Sequence, residues 1–312
     1  MKGMQLSHEY YKTYKEWMLS CGLEEFRYYI AAGLVGEGSE CYGYDDDVSQ
    51  DHDFGPDFCV WIPESIYRNN KKTFEDAYAS LPGEYRGYQR NTSEQITARR
   101  GIMTIEGFYQ KYTGITHMPQ NVMEWFRIPQ SFLSTATNGE IFDDPFGEFT
   151  ARRNHLLSYY PEDVIRKKLA AKVVIMGQSG QYNYTRCCRR GEWGGAYLAA
   201  GEFVKAALSV VYLMNKKYMP FYKWVFREAE TLQELRTVIT DLNTFVHLED
   251  RAENVMKKRI LIESICNEVA CAIRKADYSS STSDFLEAHG KSVMSGIRDE
   301  KLRRMHVLAD YD

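Results

Sequence analysis

The stretch VGEGSECYGYDDDVSQDHDFGPDF, residues 35–58, decides how the rest of the chain is read. Glycines stand at 36, 38, 43 and 55, and six aspartates fall within its 24 positions, a composition costly for a plain connecting loop. Asp51 and Asp53 are two apart, so in an extended run both carboxylates leave one face and His52 points to the other. Two oxygen ligands side by side suit magnesium, a hard ion that takes carboxylates together with phosphates and water. Ser39 lies 12 residues before Asp51. A Gly38–Ser39 turn lets backbone amides approach a triphosphate, and the serine hydroxyl adds a donor. The parts suit nucleotidyl transfer, which needs positioning and charge neutralisation more than a protein nucleophile.

Two plainer readings compete. In the register of a calcium-binding EF-hand starting at Asp47, the sixth position is His52 instead of Gly and the twelfth Phe58 instead of Glu, so calcium fits poorly. An ordinary solvated acidic turn is opposed by the Gly-Ser element and by the apolar run FCVWI just beyond.

Outward from this stretch, the amino-terminal half has short β-type runs, YYIAAGLVG, DFCVWI and ARRGIMTI, separated by helix-prone pieces such as SIYRNNKKTFEDAYASL. A first helix is expected over residues 7–20, where Tyr11, Tyr14, Trp17 and Met18 recur at helical spacing before Gly22. After FDDPFGEF the strand-like runs stop, and residues 162–310 read as successive amphipathic helices. PEDVIRKKLAAKVVIM opens one of them with proline and acids at its amino end. The pattern is that of a small α/β or α+β unit over residues 1–150, followed by an all-helical half over 151–312.

With 44% hydrophobic and 26% charged residues in 312, the chain reads as a soluble globular protein. Its formal net charge of −4 gives no overall attraction to nucleic acid or an anionic membrane. The amino end carries no apolar core of signal-peptide length, and no uninterrupted apolar run approaches the roughly 20 residues that span a bilayer, so a cytoplasmic protein is expected. Seven cysteines without CxxC spacing point to reduced thiols. There is no GxSxG elbow, no GxxxxGK[ST] loop and no HExxH motif.

GSECYGYDDDVSQDHDFGP resembles the nucleotidyltransferase superfamily of polymerase-β-like and antibiotic-modifying enzymes. The likeness is to a bacterial branch whose motif runs Gly-Ser-Glu…Gly-Tyr/Phe-Asp…Ser-x-Asp-His-Asp-x-Gly-Pro. IFDDPFGEFTARRNHLLSYYPEDV, GQYNYTRCCRRGE and YMPFYKWVF are similar to later blocks of that branch, so the resemblance covers most of residues 30–230. It implies an α+β chain: a nucleotidyltransferase fold, a short mixed β-sheet with helices behind it, over residues 1–150, followed by an all-α helical bundle domain over 151–312. Gly38 and Ser39 would contact the triphosphate, and Asp51 and Asp53 would hold magnesium, two ions in all, with manganese as a substitute. The family's third carboxylate has one counterpart in ARRGIMTIEGFY, Glu106, which could be catalytic or could favour the amino end of a helix capped by Thr104.

Secondary candidates lie in the helical half. Arg186, Arg189 and Arg190 could clamp phosphate or form a solvated turn, with Arg186 favoured. Lys223, among Tyr218, Phe221, Tyr222, Trp224 and Phe226, could meet phosphate or lay its stem on the rings. Tyr182 and Tyr184 could stack a base or pack internally. The leading expectation is a magnesium-dependent enzyme joining a nucleoside monophosphate to a small hydroxylated acceptor. A nucleotide-binding module without catalysis and a toxin-like tRNA nucleotidyltransferase are the alternatives; a nucleic-acid acceptor is disfavoured by charge. The aromatic surface of the helical half would support a homodimer, though no heptad seam marks one.

Overall fold

The computed structural model describes residues 1–49, 54–91 and 99–312. The chain has an α+β fold with a small mixed sheet and many helices. It divides into two compact units, one formed by Met1–Met118 with Phe132–Ser158, the other by Pro119–Ser131 with Tyr159–Asp312. Set beside the single cut near residue 150, this division differs at the segment 119–131. Its helix Val122–Arg127 sets Trp125 against Tyr160 at 5.9 Å and Phe126 against Tyr311 at 5.3 Å, so aromatic packing carries the segment into the helical unit.

In the first unit the sheet has the order β5-β2-β1-β6, with β1 Ala31–Leu34, β2 Cys59–Ile62, β5 Gly101–Thr104 and β6 Glu140–Asp143. A separate hairpin pairs β3 Glu84–Tyr85 with β4 Tyr88–Gln89. β1 is antiparallel to β2 and β6, whereas β2 is parallel to β5. β1 and β2 are buried at every position, which explains why they read as unbroken apolar runs. Alternate side chains of β2 serve opposite faces. Val60 and Ile62 join Tyr10, Tyr11 and Met18 of α1 (Gly3–Ser20) and Phe74 of α2 (Glu64–Ala79). Trp61 faces the other way, stacked on Phe149 at 3.9 Å and edge-on to Phe108 of α3 (Ile105–Thr113). At Gly33 of β1 a Cβ would lie 2.5 Å from the Glu140 carbonyl oxygen, so glycine lets β6 close on β1 beside the irregularity between Ala32 and Gly33.

β6 was absent from the sequence expectations. Its only apolar residues are Ile141 and Phe142, and pairing with β1 decides its conformation. α1 begins at Gly3, earlier than the expected residue 7, because the Asp45 carboxylate accepts the Gly3 amide at 2.8 Å. That buried aspartate is spent on a helix terminus. Asp46, in turn, accepts the amides of Val48 and Ser49 at 3.1 Å in a local turn.

The core of the helical unit surrounds the helix Trp193–Met214, against which pack the helix Glu162–Met176 and a π-helical turn, Gly177–Tyr184. A side chain at Gly180 would collide with Phe203, so the turn can approach that helix only through glycine. The helix Glu162–Met176 reads as amphipathic, yet Lys167, Lys168 and Lys172 are buried. Lys167 donates to the carbonyls of Val307 and Ala309, Lys168 meets Asp310 and Asp312 at 3.1 Å, and Lys172 meets Asp310 at 2.8 Å. The helix Trp193–Met214, with a mean hydropathy of 1.4 over an 18-residue window, is long and apolar enough to cross a membrane by length and composition, but 56% of that window is buried inside the protein, and Glu202 and Lys205 interrupt the apolar run.

Candidate phosphate-binding edge of the sheet

The strand directions gather four chain segments at one edge. Gly33 near the end of β1 pairs with Cys59 at the start of β2, Cys59 pairs with Gly101 at the start of β5, and Leu34 pairs with Glu140 at the start of β6. Residues 35–40, 57–58, 99–100 and 138–139 therefore lie together.

The 35–40 turn is shaped by Gly36 and Gly38, with φ of +120° and +121°, values that side-chain-bearing residues rarely adopt. It is held from two sides. Asn138 accepts the Gly36 amide and donates to the Gly36 carbonyl, both at 2.8 Å, while Arg153 donates to the carbonyls of Thr137, Asn138 and Gly139 at 2.8–3.0 Å. From beneath, the buried Arg100 guanidinium donates to the Glu37 carbonyl at 3.1 Å, the Arg99 carbonyl at 3.2 Å and the Glu40 carboxylate. Burial works against that charge, but Cys41, Cys59 and Glu40 around it raise the Arg100 pKa well above the ordinary value. Burial pushes the Cys41 and Cys59 thiols up to about 12 and about 11, so both stay protonated at neutral pH.

What the turn leaves unspent defines its chemistry. Among the described residues the amides of Glu37, Gly38 and Ser39 have no acceptor, and the Ser39 hydroxyl has no partner. Successive free amides on a glycine turn form a concavity for an anion. The acids beside them are engaged: Glu37 with Lys111 at 3.0 Å and Arg99 at 3.4 Å, Glu40 with Arg100, and Asp57 with Arg90 at 3.2 Å and the Tyr78 hydroxyl. Burial raises the Asp57 pKa against the pull of Arg90.

Gly38 and Ser39 thus stand in the expected turn after β1. Asp51, His52 and Asp53 lie outside the described residues. Glu106 is not brought to this edge. β5 runs parallel to β2 away from it, and at the far end Thr104 accepts the Gly107 amide at 2.9 Å while the Glu106 carboxylate accepts the Glu64 amide at 3.0 Å, with Arg152 at 3.7 Å. Each serves the amino end of a helix, Thr104 that of α3 and Glu106 that of α2.

In the helical unit Arg186 is exposed, its guanidinium 4.5 Å from the Tyr182 ring, and with Gln181, Arg189, Arg259 and Glu263 it lines a polar cleft of about 370 Å³. Lys223 is exposed, with its amine 5.1 Å from the Trp224 ring. Tyr184 is buried and donates to Asp250 at 2.9 Å. Sequence reasoning missed Arg100, Asn138, Arg153 and the Asp57–Arg90–Tyr78 cluster. The only available signal was the Arg99–Arg100 pair opening ARRGIMTI.

The family described as a domain of unknown function, DUF4037, matches residues 125–225. The chain is similar to it over that segment, which holds nearly all of the three later blocks quoted above and ends before Gly38, Ser39, Asp51 and Asp53 are reached in the amino-terminal direction. No curated protein and no solved structure matches the chain.

Proposed function

We propose that the chain is a magnesium-dependent nucleotidyltransferase that seats a nucleoside triphosphate on the 37–39 turn and transfers the nucleoside monophosphate to a hydroxyl of a small acceptor, releasing pyrophosphate. The observation that carries this reading is the set of unspent donors, three amides and the Ser39 hydroxyl, on a turn braced by Asn138 and Arg100. Those donors would hold phosphate oxygens without reorganisation at the moment of reaction. Among the described residues no group of three or more His, Cys, Asp or Glu side chains is placed to hold a metal, and Glu37, Glu40 and Asp57 are spent on cations. In this reading Asp51 and Asp53, the pair that the motif's resemblance marks as metal ligands, would hold magnesium, which would neutralise phosphate charge.

One observation favours a second reading, a nucleotide-binding module without turnover. β5 carries no acid at the near edge, and Glu106 is engaged at the far one. Neither β5 nor Glu106 thus supplies a carboxylate at this edge to deprotonate an acceptor hydroxyl.

Titration calorimetry of the four ribonucleoside triphosphates, with and without magnesium, tests both. Ser39→Ala is expected to weaken binding about tenfold, the worth of a hydrogen bond to a charged group. The Asp51→Asn, Asp53→Asn double variant is expected to lose the magnesium dependence. Parent-like triphosphate binding by Ser39→Ala would sink the assignment. Binding by the parent without pyrophosphate release across an acceptor screen would select the second reading.

A further inference from the structure

A cleft of about 800 Å³ opens in the helical unit between the helix Trp193–Met214, residues 219–226 and the carboxyl end of the helix Arg236–His247. Ligand pockets run from roughly 300 to 1,000 Å³, mostly apolar with a few placed polar groups. Here Ala200, Val204, Leu208, Val225, Phe226 and Phe245 supply apolar walls, and Tyr197 and Tyr222 stand exposed at the rim.

The polar group is Asp250. Its Oδ1 accepts the Lys258 ammonium at 2.7 Å and the Tyr184 hydroxyl at 2.9 Å. Lys258 is itself almost wholly buried and lies 4.6 Å from the centre of the Phe245 ring, so its charge is committed inside the unit. Oδ2 receives no hydrogen bond from any described residue, and Asp250 is among the residues that line the cleft. Glu202 and Glu249 add negative charge to the lining, against Lys205 as the one remaining base. The cleft thus presents an acceptor, a small excess of acid and aromatic faces, with Lys205 as its one cation outside the Asp250–Lys258 pair.

The geometry points to a binding site for a small organic amine, its apolar or aromatic body along the walls and its ammonium donating to Asp250 Oδ2. The faces of Tyr197 and Tyr222 favour the same charge. An anionic head would meet Asp250 and Glu249 instead. This site is independent of the reading of the sheet edge and holds whether or not the chain binds nucleotide.

A matched series with one aromatic body tests it: naphthylethylamine, naphthylethanol and naphthylacetate, titrated into the full chain by fluorescence. The amine is expected to bind about tenfold or more tightly than naphthylacetate, since a hydrogen bond between charged groups is at stake. Asp250→Asn should reduce the amine to the affinity of the alcohol. Because that variant also weakens a buried ion pair, Gly201→Trp provides a second test. Gly201 lines the cleft with open space where a Cβ would stand, so the indole can enter the cleft and no probe should then bind. Naphthylacetate binding as well as the amine, amine binding unchanged in Gly201→Trp, or no amine binding in the millimolar range would each overturn the site. So would amine affinity that falls as protein concentration rises, the sign of a second copy seated in the cleft.

Discussion

The turn at the sheet edge and the cleft of the helical unit are both concave, but they are held open by opposite means. At the edge, buried charges fix the backbone: Arg100 ties Glu37, Arg99 and Glu40 together, and Arg90 and Tyr78 do the same for Asp57. In the cleft the walls are aliphatic and aromatic, and one carboxylate supplies the polarity. A site built from backbone amides needs its backbone locked. A site built from side-chain surface needs only a supporting core.

The largest expected effect follows at Arg100. Arg100→Met removes a guanidinium whose side chain is 7% exposed and leaves the Glu40 carboxylate without its partner. Breaking a buried pair by removing one side costs on the order of 3–5 kcal/mol. Chemical denaturation should show a loss of that size, with triphosphate binding lost in step. A change under about 1 kcal/mol would mean the edge does not depend on its ion pairs.

A smaller effect separates two glycines of the same stretch. At Gly38 the φ of +121° is strained for any side chain, and a Cβ would stand 2.5 Å from the Glu40 carboxylate. At Gly43 the φ is +72° and a Cβ would meet nothing within 4 Å. Gly38→Ala should cost about 1–3 kcal/mol, and Gly43→Ala about 1 kcal/mol or less. Only Gly38→Ala should also impair triphosphate binding, and equal effects of the two on binding would remove the turn from the site.

The same residues show how much the sequence disclosed. β1, β2 and β5 were visible as apolar runs bounded by turn residues, the Gly38–Ser39 turn was visible as such, and Thr104 was weighed as a helix cap, the role it takes. All of these are local signals. Asp45, Asp57 and Arg100 were not legible, because their partners stand 42, 33 and 60 residues away. Periodicity and capping rules reach only a few residues along the chain. Thus the Asp-rich stretch read as one functional unit, whereas Asp45 ends a helix, Asp46 folds a turn and Asp57 is buried in an ion pair. The lysines of the helix Glu162–Met176 misled in the same way. Charge at helical spacing implies a solvated face, but the segment 307–312 covers it with carbonyls and carboxylates.

The smallest expected effect lies at the cleft rim and asks whether that rim is bare in solution. Tyr222 is 90% exposed, so Tyr222→Ser removes almost no buried area and should change stability by less than about 0.5 kcal/mol. Its effect should appear in the affinity for naphthylethylamine, about two- to fivefold weaker through loss of one aromatic face. The aromatic surface also suited a homodimer, and the two roles predict different concentration dependence. If a second copy covers the rim, Tyr222→Ser destabilises the parent more as protein concentration rises, because association adds to apparent stability by mass action. Thermal unfolding over a hundredfold range of concentration, paired with sedimentation velocity, reads that difference directly. A midpoint difference that stays constant leaves the rim bare and open to the amine, and one that grows assigns it to self-association.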